Sequence, residues 1–246
     1  MVLVSQLVGM ALALGIAVLR GESFPLPMDL ALAAVAGVLG AIGITALYQG
    51  LAVGRMGVVA PVTGVLAATI PVIAGIVFEG LPAPMVVVGI VLAIVAVVLV
   101  TRVSDETAGR SGLELALVSG VAIGLFGVVI SRLSDGHVFG PLTVVRGFEA
   151  LSVIIVVVAS RSAWRPPRRL LPTMAGIGVA DMAGNGLYIL AVQAGTLAVA
   201  AVTSSLYPVT TVILATLLLH ERVTRSHAAG IALAAVAIAL IGLGSV

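Results

Sequence analysis

The sequence predicts an all-α integral membrane protein of nine transmembrane helices arranged as two inverted repeats, four helices and then five. Three observations predict it. Of 246 residues, 61% are hydrophobic and 9% charged, with a mean hydropathy of +1.30, more apolar side chain than a water-soluble globule covers with polar surface. The apolar residues form long runs of about 20, the length at which a helix crosses the hydrocarbon core. Two stretches also resemble each other at a displacement of about 140 residues, the mark of an internal repeat. Leu47-Tyr48 recurs as Leu187-Tyr188, Ala52 as Ala191, Val62-Thr63 as Val202-Thr203, Leu66 as Leu206, Glu79 as Glu221 and Gly89 as Gly230.

Taken in order, the runs are 2–19, 30–52, 57–78, 84–101, 112–132, 141–160, 171–193, 197–219 and 227–245. The first has no basic run before it and no small-residue cleavage site after it, so it reads as a span and not as a signal peptide. The second ends near Tyr48. The third carries Pro61 in its first turn, where proline is at home, and Pro71 in its interior. The fourth contains Gly89. The sixth opens on Pro141 and carries Arg146 and Glu149; the seventh carries Asp181; the eighth holds Pro208 in a Ser/Thr-rich stretch; the ninth contains Gly230. These runs are too long for transmembrane strands and lack their alternation, so the backbone must be satisfied within helices.

Arginines set the topology. The connections after spans two, four, six and eight carry Arg55, Arg102, Arg110, Arg161, Arg165, Arg168, Arg169, Arg222 and Arg225, nine of the 12 basic residues. The positive-inside rule therefore puts the loops at 53–56, 102–111, 161–170 and 220–226 in the cytoplasm. The N-terminus is then cytoplasmic and the C-terminus external. The net charge of +2 reflects these loop arginines and no nucleic-acid surface, and with no cysteine there is no disulfide, thiolate nucleophile or cysteine metal site.

Residues 1–101 form a first repeat of four helices and residues 112–246 a second of five, leaving helix 112–132 without a partner. An odd-numbered repeat enters the membrane upside down in its second copy, and such folds place substrate between the repeats. Membrane sequence follows Met1 at once, so a truncated start is expected, a true nine-helix protein being the alternative.

A Tyr near a helix end, a short connection, a helix with a mid-membrane Pro and a Glu at its exit, and a Gly in the next helix occur twice. The second copy reads Leu187-Tyr188, Pro208, His220-Glu221-Arg222 and Gly230; the first reads Leu47-Tyr48, Pro61, Glu79 and Gly89, with an additional Pro71. A Pro followed by an Arg, as Pro141 and Arg146, opens the sixth span. This pattern resembles the EamA domain of the drug/metabolite transporter superfamily, over nearly the whole chain. The resemblance implies ten helices in five-plus-five repeats, a bacterial plasma (inner) membrane, and small organic solutes such as amino acids moved outward by proton coupling or exchange.

Asp181 is the most informative single residue, because an ionised carboxylate at mid-span costs roughly 2.5–3.5 kcal/mol on insertion scales. Asn185 and Tyr188 follow at i+4 and i+7, on one helical stripe. The functional reading is a substrate- or proton-carrying carboxylate, the structural one a helix-packing hydrogen bond. Arg146 and Glu149 stand at i,i+3, close enough for an internal ion pair, while the arginine also suits a solute carboxylate or phosphate. Asp181 competes for that arginine, so exchange of ion-pair partners is a candidate gate.

Pro71 and Pro208 each free the carbonyl four residues earlier, at Ala67 and Ser204. Thr203, Ser204 and Tyr207 surround Pro208 and are candidate cavity lining, or else satisfy the kink. Glu79 and Glu221 end the third and eighth spans, where a carboxylate opposes the local dipole, so a gating or structural role is expected. Glycine-rich faces permit close helix approach and leave homo-oligomers open.

The expected function is a secondary transporter working by alternating access, exporting or exchanging small metabolites, with protons as a candidate coupling ion. The alternatives are an exporter or flippase for an amphipathic drug or lipid-linked group, and a non-transporting scaffold or truncated remnant. His137, His220 and His227 lack metal-ligand spacing, and no nucleotide or nucleophile signature is present, so neither an enzyme nor a cofactor or metal is expected.

Overall fold

The computed structural model describes residues 2–54, 56–101, 112–159, 167–204 and 225–244. Among them the chain is helical throughout, with no strand: α1 (Val2–Arg20), α2 (Pro27–Val53), α3 (Met56–Glu79), α4 (Pro84–Thr101), α5 (Leu113–Ile130), α6 (Phe139–Ala159), a 3-10 turn at Arg168–Leu170, α7 (Leu171–Ala194), α8 (described over Leu197–Ser204) and α9 (Arg225–Gly244). Among the described residues six stretches are long and apolar enough to cross a membrane: Val2–Arg20, Pro27–Val53, Val62–Glu79, Leu113–Ile130, Phe139–Ala159 and Arg168–Ala194.

Local chemistry sets the ends. Proline at the first position of α2 starts that helix three residues before the apolar run, since its missing N–H would be unpaired there anyway. Gly21 takes a left-handed φ of 63° just past α1. Its N–H donates to the Val18 carbonyl and that of Glu22 to Ala17, a Schellman closure that delivers Glu22 to a fixed place. α3 runs through Pro71 without interruption, because losing one backbone bond does not end a helix held by its neighbours.

The helices gather into two compact units. The first comprises Met1–Ile42 and Phe126–Ala194, the second Gly43–Leu125 and Gly195–Val246, so the boundary falls within α2 and α5. In the first unit α1 packs on α6 and α7, around a core that includes Ala13, Ala36, Phe126, Leu142 and Met182. Glycines permit the closest approaches. A Cβ at Gly37 of α2 would lie 2.6 Å from the Val145 carbonyl of α6, and one at Gly178 of α7 would strike the Ser5 carbonyl of α1.

In the second unit α4 packs on α9, and α3 on α4 and α8. Gly89 lets α4 meet the Ala237 carbonyl and Ile241 of α9. The buried polar groups here are hydroxyls: Thr63 Oγ1 donates to the Ala116 carbonyl at 3.3 Å, and Ser119 Oγ to the Gly43 carbonyl at 2.9 Å. Large apolar side chains such as Val18, Val77, Ile155 and Leu187 remain exposed, the surface an acyl-chain environment covers.

Candidate functional site

The site lies wholly in the first unit, where α1, α6 and α7 each bring a polar side chain to Arg146. Two glycines clear its place. A Cβ at Gly9 of α1 would sit 3.3 Å from the Gly178 carbonyl and 3.5 Å from Arg146 Nε, so larger residues would hold α1 and α7 away from the guanidinium. Arg146 is 1% exposed.

Its Nη1 shares two protons among three acceptors: Gln6 Oε1 at 2.7 Å, Glu149 Oε2 at 2.8 Å and Asp181 Oδ2 at 2.6 Å. Both carboxylates are therefore engaged together. Glu149 and Gln6 are buried, whereas the Asp181 side chain is 45% exposed. One guanidinium against two carboxylates leaves one net negative charge when all three are ionised. Arg146 Nε and Nη2 are buried without a hydrogen-bond partner, although they form the edge of the guanidinium suited to bidentate contact with an oxyanion.

The other candidates take different places. Asn185 lies half-buried one turn beyond Asp181, and Tyr188 Oη donates to the Gly127 carbonyl at 3.3 Å. Thr203 belongs to the second unit and turns its hydroxyl back onto the Val199 carbonyl of its own helix, while Ser204 is exposed. Pro71 is buried inside α3. Glu79 accepts from the Leu197 N–H with both carboxylate oxygens, at 3.3 and 2.9 Å, so it caps α8 instead of ending α3 unpaired. Tyr207, Pro208 and Glu221 lie outside the described residues.

Sequence reasoning passed over Gln6, a neutral side chain in an apolar run. The repeat offered a signal, because Gln6 and Arg146 lie 140 residues apart. It also passed over Glu22 and Asp29, each at a helix end where charge looks ordinary. Glu22 Oε2 accepts from the N–H groups of Phe139 and Gly140 at the start of α6, and buried Asp29 binds Ser134.

Comparison with known proteins matches the EamA-like transporter family to residues 110–243, more than half of the chain. Among 29 matching chains of solved structures, one described only as the crystal structure of a protein superposes with a TM-score of 0.78 at 15% identity, over 99% of this chain and 86% of that one. That likeness is one of fold. No curated protein matches the sequence. The chain belongs to the EamA-like transporter family, integral membrane proteins that carry small solutes and are not enzymes.

Proposed function

We propose that this chain is a secondary transporter that exports or exchanges small organic metabolites, amino acids among them, by alternating access, with the Arg146 network as solute and proton site. The observation that carries this reading is a fully buried arginine held by two carboxylates and an amide from three helices. Ionisable groups at membrane depth are costly and mark solute or proton pathways. The unpaired Nε and Nη2 edge is the docking point for an oxyanion, and the surplus negative charge is cancelled by one proton or one cationic group. Asp181, the exposed member, is the carboxylate that exchanges with the solution.

Packing supports nine spans in inverted repeats over 1–101 and 112–246. Helices at equivalent repeat positions pack together, α1 with α6, α3 with α8 and α4 with α9. Gly37 against Val145 mirrors Gly178 against Ser5, since Gly37 and Gly178, like Ser5 and Val145, are related by about the repeat distance. In this reading the loops at 53–56, 102–111, 161–170 and 220–226 face the cytoplasm of a bacterial cell. A second reading, an exporter of amphipathic molecules, is favoured by Asp181 standing exposed on α7 beside exposed Ile177 and Gly184, a place reachable from the side of the helix.

Flux in proteoliposomes under an imposed pH gradient, across a panel of amino acids, other metabolites and amphipathic cations, tests the proposal. Wild-type protein is expected to show gradient-dependent flux, and Asp181→Asn to insert normally and lose the pH dependence. Unchanged flux and pH dependence in Asp181→Asn would remove that carboxylate from the mechanism.

A further inference from the structure

The end of the first unit above the Arg146 network is fastened by side chains that the transport site does not use. Glu22, set by the Schellman closure of α1, holds the first two N–H groups of α6 at 2.9 and 2.8 Å. Asp29, fully buried in the first turn of α2, accepts from the N–H and hydroxyl of Ser134 at 3.0 and 3.1 Å. The Ser134 carbonyl accepts from Gln193 Nε2, at the end of α7, at 3.2 Å. Arg20 lies over the Phe139 ring, 5.6 Å from its centroid, with Nε 3.8 Å from Glu22 Oε1. The strap therefore ties α1, α2, α6 and α7 at one end, and three of these helices supply the Arg146 network. Between strap and network lie Ala13 and Leu142, both 0% exposed.

The fastening is incomplete. Glu22 Oε1, Asp29 Oδ2 and His137 Nδ1 are buried without hydrogen-bond partners. Opening this end returns those atoms to water, which offsets part of the bonds lost. A closure that is bonded but short of partners suits a two-state element. The second unit repeats the device, with Glu79 at the end of α3 capping α8, the repeat mate of α3.

We propose that the Glu22 and Asp29 strap is the gate at this end of the first unit, and that its release opens the path past Ala13 to the Arg146 network. By the alternation of spans this end faces away from the arginine-rich loops. The inference rests on the transport reading, but its test needs no solute.

The native chain has no cysteine, so Ala13→Cys makes a single buried reporter for a membrane-impermeant maleimide in vesicles. Adding Asp29→Ala, which removes both Ser134 bonds, is expected to raise the labelling rate at least tenfold, from the strap side only. An unchanged rate in folded protein, or an equal rise from both sides, would overturn the gate. A second variant keeps the test decisive if Asp29→Ala misfolds. Glu22→Gln, which keeps the side chain's length but weakens its hold on the Phe139 and Gly140 N–H groups, should likewise label faster than the Ala13→Cys parent from the strap side. Equal rates would again overturn the gate. Labelling that follows the strap in protein without flux on any solute would tell against the transport reading and leave the gate intact.

Discussion

The two units are built from the same apolar vocabulary but bury different chemistry. The first holds an arginine, two carboxylates and an amide on three helices. Among the described residues the second buries hydroxyls, each satisfied by a neighbouring carbonyl, and keeps its carboxylates at helix ends, Glu79 capping α8 and Glu114 exposed in the first turn of α5. A hydroxyl on a carbonyl fixes packing and has nothing to exchange. A guanidinium crowded on one nitrogen, with its other edge bare, has both a charge to neutralise and donors to offer. The contrast teaches that the second unit is read as packing and the first as chemistry.

Substitutions can break or sharpen that contrast. The largest effect is expected from Arg146→Ala, which leaves the buried Glu149 carboxylate beside half-exposed Asp181 without a counter-ion and should cost about 3–5 kcal/mol, read as a fall in thermal midpoint in detergent. Adding Glu149→Gln and Asp181→Asn to it should recover much of that loss, since the repulsive pair disappears with the charge. Next comes Gly178→Ala, whose new methyl strikes the Ser5 backbone and should cost about 1–3 kcal/mol through overpacking. In the second unit Ser119→Ala removes one buried hydroxyl bond and should cost only about 0.6 kcal/mol, the average for such bonds between membrane helices. The smallest effect belongs to Gly184→Ala on the open side of α7, where nothing lies within 4 Å; it should be neutral or stabilising by about 0.5–1 kcal/mol through helix propensity. Urea or thermal unfolding of all four variants checks the ranking. A Ser119→Ala loss as large as that of Arg146→Ala would erase the distinction between the units.

The helices were legible because hydropathy and length set a span almost without help from tertiary contacts. The apolar run read as 30–52 and the helix observed at Pro27–Val53 differ by one residue at the end and by three at the start, where Pro27 and Asp29 begin it early. Arg146, Glu149 and Asp181 were legible because a charge at membrane depth stands out against its neighbours. Their joint attachment to one nitrogen was not, since i,i+3 spacing pairs Arg146 with Glu149 and says nothing of a residue 35 positions away. Gln6, Glu22 and Asp29 escaped for a related reason: their roles depend on which helix end lies opposite, and that is decided by packing. The units also divide the chain differently from the repeats that the sequence predicts, since each draws helices from both sequence halves. A repeat is a property of descent along the chain, while a unit is set by which apolar faces meet.

In the proposed function the first unit's charged network moves solute and proton, beyond any part it plays in holding the helices together. The most direct measurement is gradient-driven flux in proteoliposomes of the neutralised variant Arg146→Gln with Glu149→Gln and Asp181→Asn, beside wild type and Ser119→Ala at matched insertion. The neutralised protein is expected to fold and give no gradient-driven flux, while Ser119→Ala transports as wild type does. Flux of wild-type size and pH dependence in the neutralised protein would contradict it.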